Sequence, residues 1–154
     1  MSMSAAGELH IAAQWRELAR IHGDCPALVD AAGTWSYAAV HARIVKLANA
    51  LLGLGLRKGE RVALLLPDIR EYLEADYATM AAGLVRVPLD PRLARDELAS
   101  LLRHVGAAAL VGHASFADKL EGLKLKVDGL KRRARLRDAA GQGSRASVAR
   151  RRWR

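Results

Sequence analysis

The sequence predicts an α/β fold, a partly parallel sheet flanked by helices, from three observations within residues 61–91. Val62 to Leu66 is a short, continuous apolar run closed by Pro67, the pattern of a strand covered on both faces. Leu73, Tyr77, Met80 and Ala81 then recur at helical spacing, and Gly83 supplies the left-handed stop. Leu84 to Val87 returns as a second strand, bounded by Pro88 and Pro91. A strand, helix and strand of this length form a βαβ unit, whose crossover joins parallel strands. Asp68 is placed to cap the helix, with Glu71 three residues on to complete a capping box. Glu71, Glu74 and Asp76 are assigned to a solvated helix face.

The remaining elements follow in order. Ile11, Trp15, Leu18 and His22 share one face of a first helix ended by Gly23. Ala27 to Val29 and Thr34 to Ser36, joined by the turn residues Asp30 to Gly33, predict a β-hairpin. Ser36 caps the next helix, whose apolar stripe Val40, Ile44, Leu47, Leu51 and Leu54 is the clearest in the chain; Gly53 and Gly55 end it. After Pro91, Leu93 and Leu98 form a hydrophobic staple around a helix start at Ala94, which itself has no capping oxygen. Leu98, Leu101, Leu102 and Val105 face inward, and Gly106 stops that helix. Ala107 to Val111 is a third buried strand, and Ser115 opens a last helix through Phe116, Leu120 and Leu123.

Half of the 154 residues are hydrophobic, enough for one domain with a core. No apolar run approaches the about 18 residues of a membrane span. The first basic residue is Arg16, so the N-terminus reads as neither a secretory signal nor an arginine-rich transit peptide. Cys25 is the single cysteine, which rules out an internal disulfide and fits cytoplasmic residence. The net charge of +9 is unevenly placed: residues 122–154 carry +10 and residues 1–121 carry −1. The alkaline balance therefore says nothing about what the folded part binds. From about Lys131 the sequence has no apolar periodicity and is mostly Arg, Ala, Gly and Ser. The expected organisation is a disordered N-terminus at 1–7, a folded unit at 8–130 and a basic, disordered tail at 131–154.

These phrases resemble, in order, the N-terminal part of the adenylate-forming (AMP-binding) enzymes, the superfamily of acyl-CoA and aryl-CoA synthetases. Thr34-Trp35-Ser36-Tyr37, opening a long helix, is similar to the family's first core motif. Lys58-Gly59-Glu60-Arg61-Val62-Ala63 resembles its Lys-Gly-Asp-Arg-Val-Ala phrase. Met80-Ala81-Ala82-Gly83 through Val87-Pro88-Leu89-Asp90-Pro91 resembles the second core motif. Asp96-Glu97-Leu98 and the Ala107 to Val111 strand fall in place after it. The resemblance covers roughly residues 8–130 and implies the N-terminal subdomain of an adenylate-forming ligase fold.

It also implies a chemistry. Intact relatives activate a carboxylic acid with ATP and Mg²⁺ to an acyl-adenylate, then transfer it to coenzyme A or another thiol, as in fatty acid metabolism. The family's Ser/Thr/Gly-rich phosphate loop ending in Pro-Lys-Gly has no counterpart in this sequence, nor do its later motifs. The matched segment is scaffold in those enzymes. No catalytic, cofactor-binding or metal residue is carried over, and this chain is expected to bind no cofactor and to be inactive alone. The arginine-rich tail reads like a GC-rich gene out of frame, so the expectation is a truncated or frameshifted ligase fragment, or one completed by a separately encoded C-terminal half.

Competing site readings are weaker. Gly53-Leu54-Gly55-Leu56-Arg57-Lys58-Gly59 follows a helix and precedes a strand, the reverse of a phosphate-cradling loop, and reads as a helix stop. Gly141-Gln142-Gly143-Ser144 has no strand before it. His10, His22, His41, His104 and His113 lack metal-ligand spacing and are assigned to surfaces or helix ends, and Cys25 to a small buried role. Asp90 ends a parallel strand, where α/β sites are built, but sits in a turn beside Pro91. The rival function is a small α/β binding module whose tail, Arg132, Arg133, Arg135, Arg137 and Arg150 to Arg154 with Trp153, contacts nucleic acid nonspecifically or an anionic surface.

Overall fold

Val62 to Leu66 lies at the centre of the molecule, each residue at most 3% exposed. The computed structural model describes residues 11–124, 130 and 132–136. In chain order the elements are α1 (Ile11–Ile21), β1 (Pro26–Asp30), β2 (Gly33–Ser36), α2 (Tyr37–Gly53), β3 (Arg61–Leu65), α3 (Arg70–Ala81), β4 (Val85–Pro88), α4 (Arg95–His104), β5 (Ala109–His113), a 3-10 turn (Ala114–Phe116), α5 (Ala117–Lys124) and β6 (Arg132–Leu136). β1 and β2 pair antiparallel as a separate hairpin. The main sheet runs β4-β3-β5-β6. β3 is parallel to β4, with Arg61 opposite Val85 and Leu64 opposite Pro88, and to β5, with Val62 opposite Ala109 and Leu65 opposite Gly112. The α/β fold, its parallel βαβ unit and its antiparallel hairpin match the sequence reading.

Alternation along β3 divides the core between two faces. Val62, Leu64 and Leu66 pack with Val40, Ile44, Leu47 and Leu51 of α2, Ala75 and Ala78 of α3, and Trp15 of α1. Ala63 and Leu65 pack with Leu110, with Leu98 and Leu102 of α4, and with Leu120 and Leu123 of α5. The stripe on α2 is therefore the one its spacing predicts. Ser36 Oγ accepts the Ala39 N–H at 3.3 Å and starts that helix. At α4, Glu97 accepts the Ala94 N–H at 2.7 Å, the half of a capping box that an alanine at the cap position permits.

Several expectations are corrected. On α1, Trp15 alone is buried, while Leu18 and His22 are exposed. α3 starts at Arg70 with Ile69 at the cap position and no side-chain cap, so Asp68 and Glu71 form no capping box there. The buried positions of α3 are Arg70, Glu71, Glu74, Ala75, Ala78 and Thr79. Leu73, Tyr77 and Ala81 are only partly buried, on the margin of the core. The sequence pattern gives out at Lys131, yet residues 132–136 form β6, parallel to β5 with Ala109 opposite Arg132 and His113 opposite Leu136. Backbone groups make that pairing, so it needs no apolar side-chain period. Residues 1–7 and 137–154 of the expected termini lie outside the described residues.

α5 sits so close to β5 that a Cβ on Gly112 would stand 2.5 Å from Leu120 Cδ2 and 2.6 Å from its Cδ1. Leu120 is itself 2% exposed, so it has little room to yield. Gly112→Ala is expected to destabilise the chain by about 1–3 kcal/mol in urea unfolding. Adding Leu120→Ala should add less than that second change removes by itself, because the two substitutions share one contact.

Candidate functional site

A parallel sheet gathers its strand C-termini along one edge, where α/β proteins build their sites. Here that edge carries Asp68 beyond β3, Asp90 beyond β4 and His113 at the end of β5. Asp90 accepts the Arg92 backbone N–H at 2.8 Å and its side-chain Nη2 at 2.8 Å and Nε at 3.1 Å. These hydrogen bonds pull its carboxyl from 3.8 down to about 2. Lys119 on α5 donates to the carbonyls of Pro91 and, at 2.9 Å, Leu93, pinning the same loop. Asp90 thus organises its own turn.

His113 is buried, and it sits at a helix start, the second of the two places expected for the histidines. Its Nδ1 accepts the Ser115 N–H at 3.1 Å and lies 2.8 Å from Ser115 Oγ. The imidazole thereby caps the 3-10 turn, as a serine or aspartate does at other helix starts. His22 and His104 are exposed, and His10 lies outside the described residues. Cys25 is exposed, correcting the buried role assigned to it. Among the described residues no three His, Cys, Asp or Glu side chains converge as a metal site. Gly55 and Gly59 hold φ of 81° and 83°, the turn conformations of a helix stop. Gly141 to Ser144 lie outside the described residues, as do Arg137 and Arg150 to Trp153.

The densest polar constellation is elsewhere, beneath the hairpin. Arg43 of α2 donates a short hydrogen bond from Nε to Glu74 Oε1 and a second from Nη2 to Glu74 Oε2 at 2.8 Å. Arg70 of α3 donates to Glu71 and lies 3.2 Å from Glu74 Oε1. Its Nη1 reaches Asp30 of the hairpin at 3.3 Å. The Arg70 guanidinium also stacks on Trp35 of β2, 3.8 Å from the ring centroid. Glu71 and Glu74 are 7% and 4% exposed, so neither belongs to a solvated face; Asp76 alone of that trio pairs outward, with Arg86 at 2.8 Å. Its hydrogen bonds to Glu74 hold the Arg43 guanidinium above its ordinary pKa, against desolvation.

No site reading of the sequence singled out this cluster. No local signal marks it: α3, REYLEADYATMA, offers Leu73, Tyr77 and Ala81 as an apolar stripe, and Arg43 lies 31 positions from Glu74. Chemically the cluster is charge-paired within itself, with Arg70 Nε left without a hydrogen-bond partner. Its guanidiniums face carboxylates of the same chain and its carboxylates face guanidiniums, an arrangement that fixes geometry and leaves little to offer a substrate.

The comparisons with known proteins agree with the scaffold. The profile of the AMP-binding enzyme family matches residues 15–149, most of the chain and past residue 130, the end of the sequence resemblance. The chain is 33% identical over 119 residues to the crotonobetaine/carnitine–CoA ligase of Escherichia fergusonii, covering 74% of this chain and 23% of that protein. The anthranilate CoA ligase AuaEII, solved with anthranoyl-AMP, superposes with a TM-score of 0.77 at 23% identity, over 82% of this chain and 25% of that one. A Mycobacterium tuberculosis fatty acyl CoA synthetase gives 0.76 at 27% identity, over 82% and 26%. The chain belongs to the AMP-binding enzyme family, and it spans about a quarter of the length of the relatives it matches.

The Asp90 turn carries a pH prediction. A depressed folded pKa contributes stability above the unfolded value and loses it as pH falls through the folded one. The β4–α4 turn should therefore keep its form down to near pH 2. A side-chain carboxyl NMR titration should place Asp90 at about 2 and return it toward 3.8 in Arg92→Ala.

Proposed function

We propose that this chain is the N-terminal scaffold layer of an acid–CoA ligase. The observation that supports this reading is the family match over residues 15–149 joined to coverage of only 23% of a curated ligase. In an intact enzyme of this kind, ATP activates a carboxylic acid as an acyl-adenylate with loss of pyrophosphate. The thiol of coenzyme A then takes the acyl group. Both halves need fixed positive charge and donors aimed at phosphate oxygens.

The ion-paired arginines of this chain do not fit that task. Arg20, Arg43, Arg70, Arg86 and Arg92 are each engaged by a carboxylate of the chain, and none is held open toward a phosphate. In this reading the phosphate-handling residues, and the pocket that selects the acid, lie on ligase segments outside this sequence, in the same or a separately encoded polypeptide. Residues 11–124 contribute the sheet and helices on which those segments are mounted. Cytoplasmic residence goes with this proposal, supported by Cys25, an exposed free thiol.

A chimera tests the reading. Residues 11–136 replace the matching segment of the E. fergusonii ligase, and CoA ligation by the chimera is measured beside ATP–pyrophosphate exchange by the present chain. The expected result is a folded chimera that retains ligation, with no exchange above blank for the chain by itself across a panel of acids. Robust exchange by the chain, or a folded chimera with no ligation, contradicts the proposal.

A further inference from the structure

The hairpin is joined to the rest of the molecule in an unusual way. As strands, β1 and β2 pair with each other and add no strand to the main sheet. A two-stranded hairpin is marginal in water without further support. Its apolar support here is slight: Ala27, Leu28 and Trp35 are partly buried against the core, while Val29 is 74% exposed. The remaining side-chain attachments are Arg43, whose guanidinium lies 5.8 Å from the Trp35 ring centroid, and, closer, Arg70. Its guanidinium stacks on Trp35 at 3.8 Å and reaches Asp30 Oδ2 at 3.3 Å.

Asp30 works in both directions. Its Oδ1 accepts the Ala32 and Gly33 N–H groups at 2.8 and 3.0 Å, which shapes the hairpin turn. Its Oδ2 takes Arg70. One carboxylate therefore couples the form of the turn to the docking of the hairpin.

The docked state also carries a defect at this one place. Among the described residues two buried side-chain atoms have no hydrogen-bond partner, Trp35 Nε1 and Arg70 Nε, and both lie in this contact. Arg70 Nε is near Glu74 in charge terms, but not in hydrogen-bond geometry. A buried donor left unmade is a penalty that exposure to water removes. Lifting the hairpin would open Trp35 Nε1 and Arg70 Nε to water. The base of the hairpin is fixed differently: Tyr37 N–H donates to Cys25 C=O at 3.1 Å, and Ala38 N–H to Gly23 C=O at 3.0 Å. Those bonds tie the chain before β1 to the start of α2, whose buried stripe holds it on the sheet.

We propose that the β1–β2 hairpin is a latched flap, which opens as a unit about its base while the parallel sheet stays closed, with Arg70 as the latch. Opening uncovers the Arg43, Arg70, Glu71 and Glu74 cluster to solvent. The charged surface between α2 and α3 is therefore available in the open state and hidden in the closed one. This inference is independent of the ligase reading, since it rests on contacts within the described residues.

Native-state hydrogen exchange on the full chain tests it. In the unmodified protein, the hairpin amides should exchange at least about tenfold faster than those of β3 and β5, through a separate opening. Asp30→Asn keeps an oxygen for the turn and removes the charge facing Arg70. It should speed the hairpin amides several-fold and leave β3 and β5 within about twofold. Arg70→Lys keeps the charge but loses the planar fork and the stacking, and should release the hairpin further. Equal protection of hairpin and sheet in the unmodified protein overturns the proposal. So does an Asp30→Asn variant in which both respond alike.

Discussion

Two buried carboxylates on α3 constrain how this molecule is put together. Glu71 and Glu74 point inward, where an unpaired charge costs several kcal/mol in desolvation. Both must meet guanidiniums, and the partners come from two places: Arg70 from the same helix and Arg43 from α2. The bidentate Arg43–Glu74 pair fixes the register of α2 against α3 as well as their distance. Arg70 extends the same network to Asp30 and Trp35 of the hairpin. Below the charged layer, Ala75 and Ala78 let α3 lie close over β3. Thr79 hides its own hydroxyl by donating to Ala75 C=O at 2.7 Å. α3 is thus held by ion pairs at its first turns and by small apolar residues further along.

This arrangement suits a scaffold layer. β3 is buried on both faces, with α2 and α3 over one face and α4 and α5 over the other. The strand C-termini, where an α/β enzyme places its chemistry, are occupied by local structure: Asp90 and Lys119 shape the loop after β4, and His113 caps the turn after β5. The polar groups that the fold positions most firmly serve the fold itself. The family match and the quarter-length coverage lead to the same view, that of a piece whose rigidity supports chemistry placed elsewhere in an AMP-binding body.

What could be read from the sequence was whatever local pattern dictates. Val62 to Leu66 is apolar without a break and bounded by Pro67, so its double burial was legible. The Val40, Ile44, Leu47, Leu51 stripe was legible because successive turns repeat one period. Asp90 was legible as a turn residue from Pro91 beside it. α3 was not. Asp68 and Glu71 have capping-box spacing, but the chain after Pro67 delays the helix to Arg70, which turns Glu71 and Glu74 inward. Acids three residues apart look alike on a solvated face and in a buried ion cluster; the arginine that separates the two cases, Arg43, is 31 positions away from Glu74. β6 was hidden for another reason, since pairing of its backbone with β5 leaves no mark on side-chain period. Cys25 is exposed because it precedes an exposed hairpin, and His113, at its expected helix end, is buried because it also ends a buried strand.

The claim that ion pairing sets the α2–α3 interface is tested most directly by a double-mutant cycle at Arg43 and Glu74, with Arg43→Met, Glu74→Gln and the pair compared by urea unfolding. A contact of this geometry and burial predicts a coupling energy of about 2 kcal/mol or more. The double variant should be more stable than the sum of the two single losses implies, because neither charge is then left buried without its partner. A coupling below about 0.5 kcal/mol would contradict the account and assign α2–α3 packing to the apolar stripe alone.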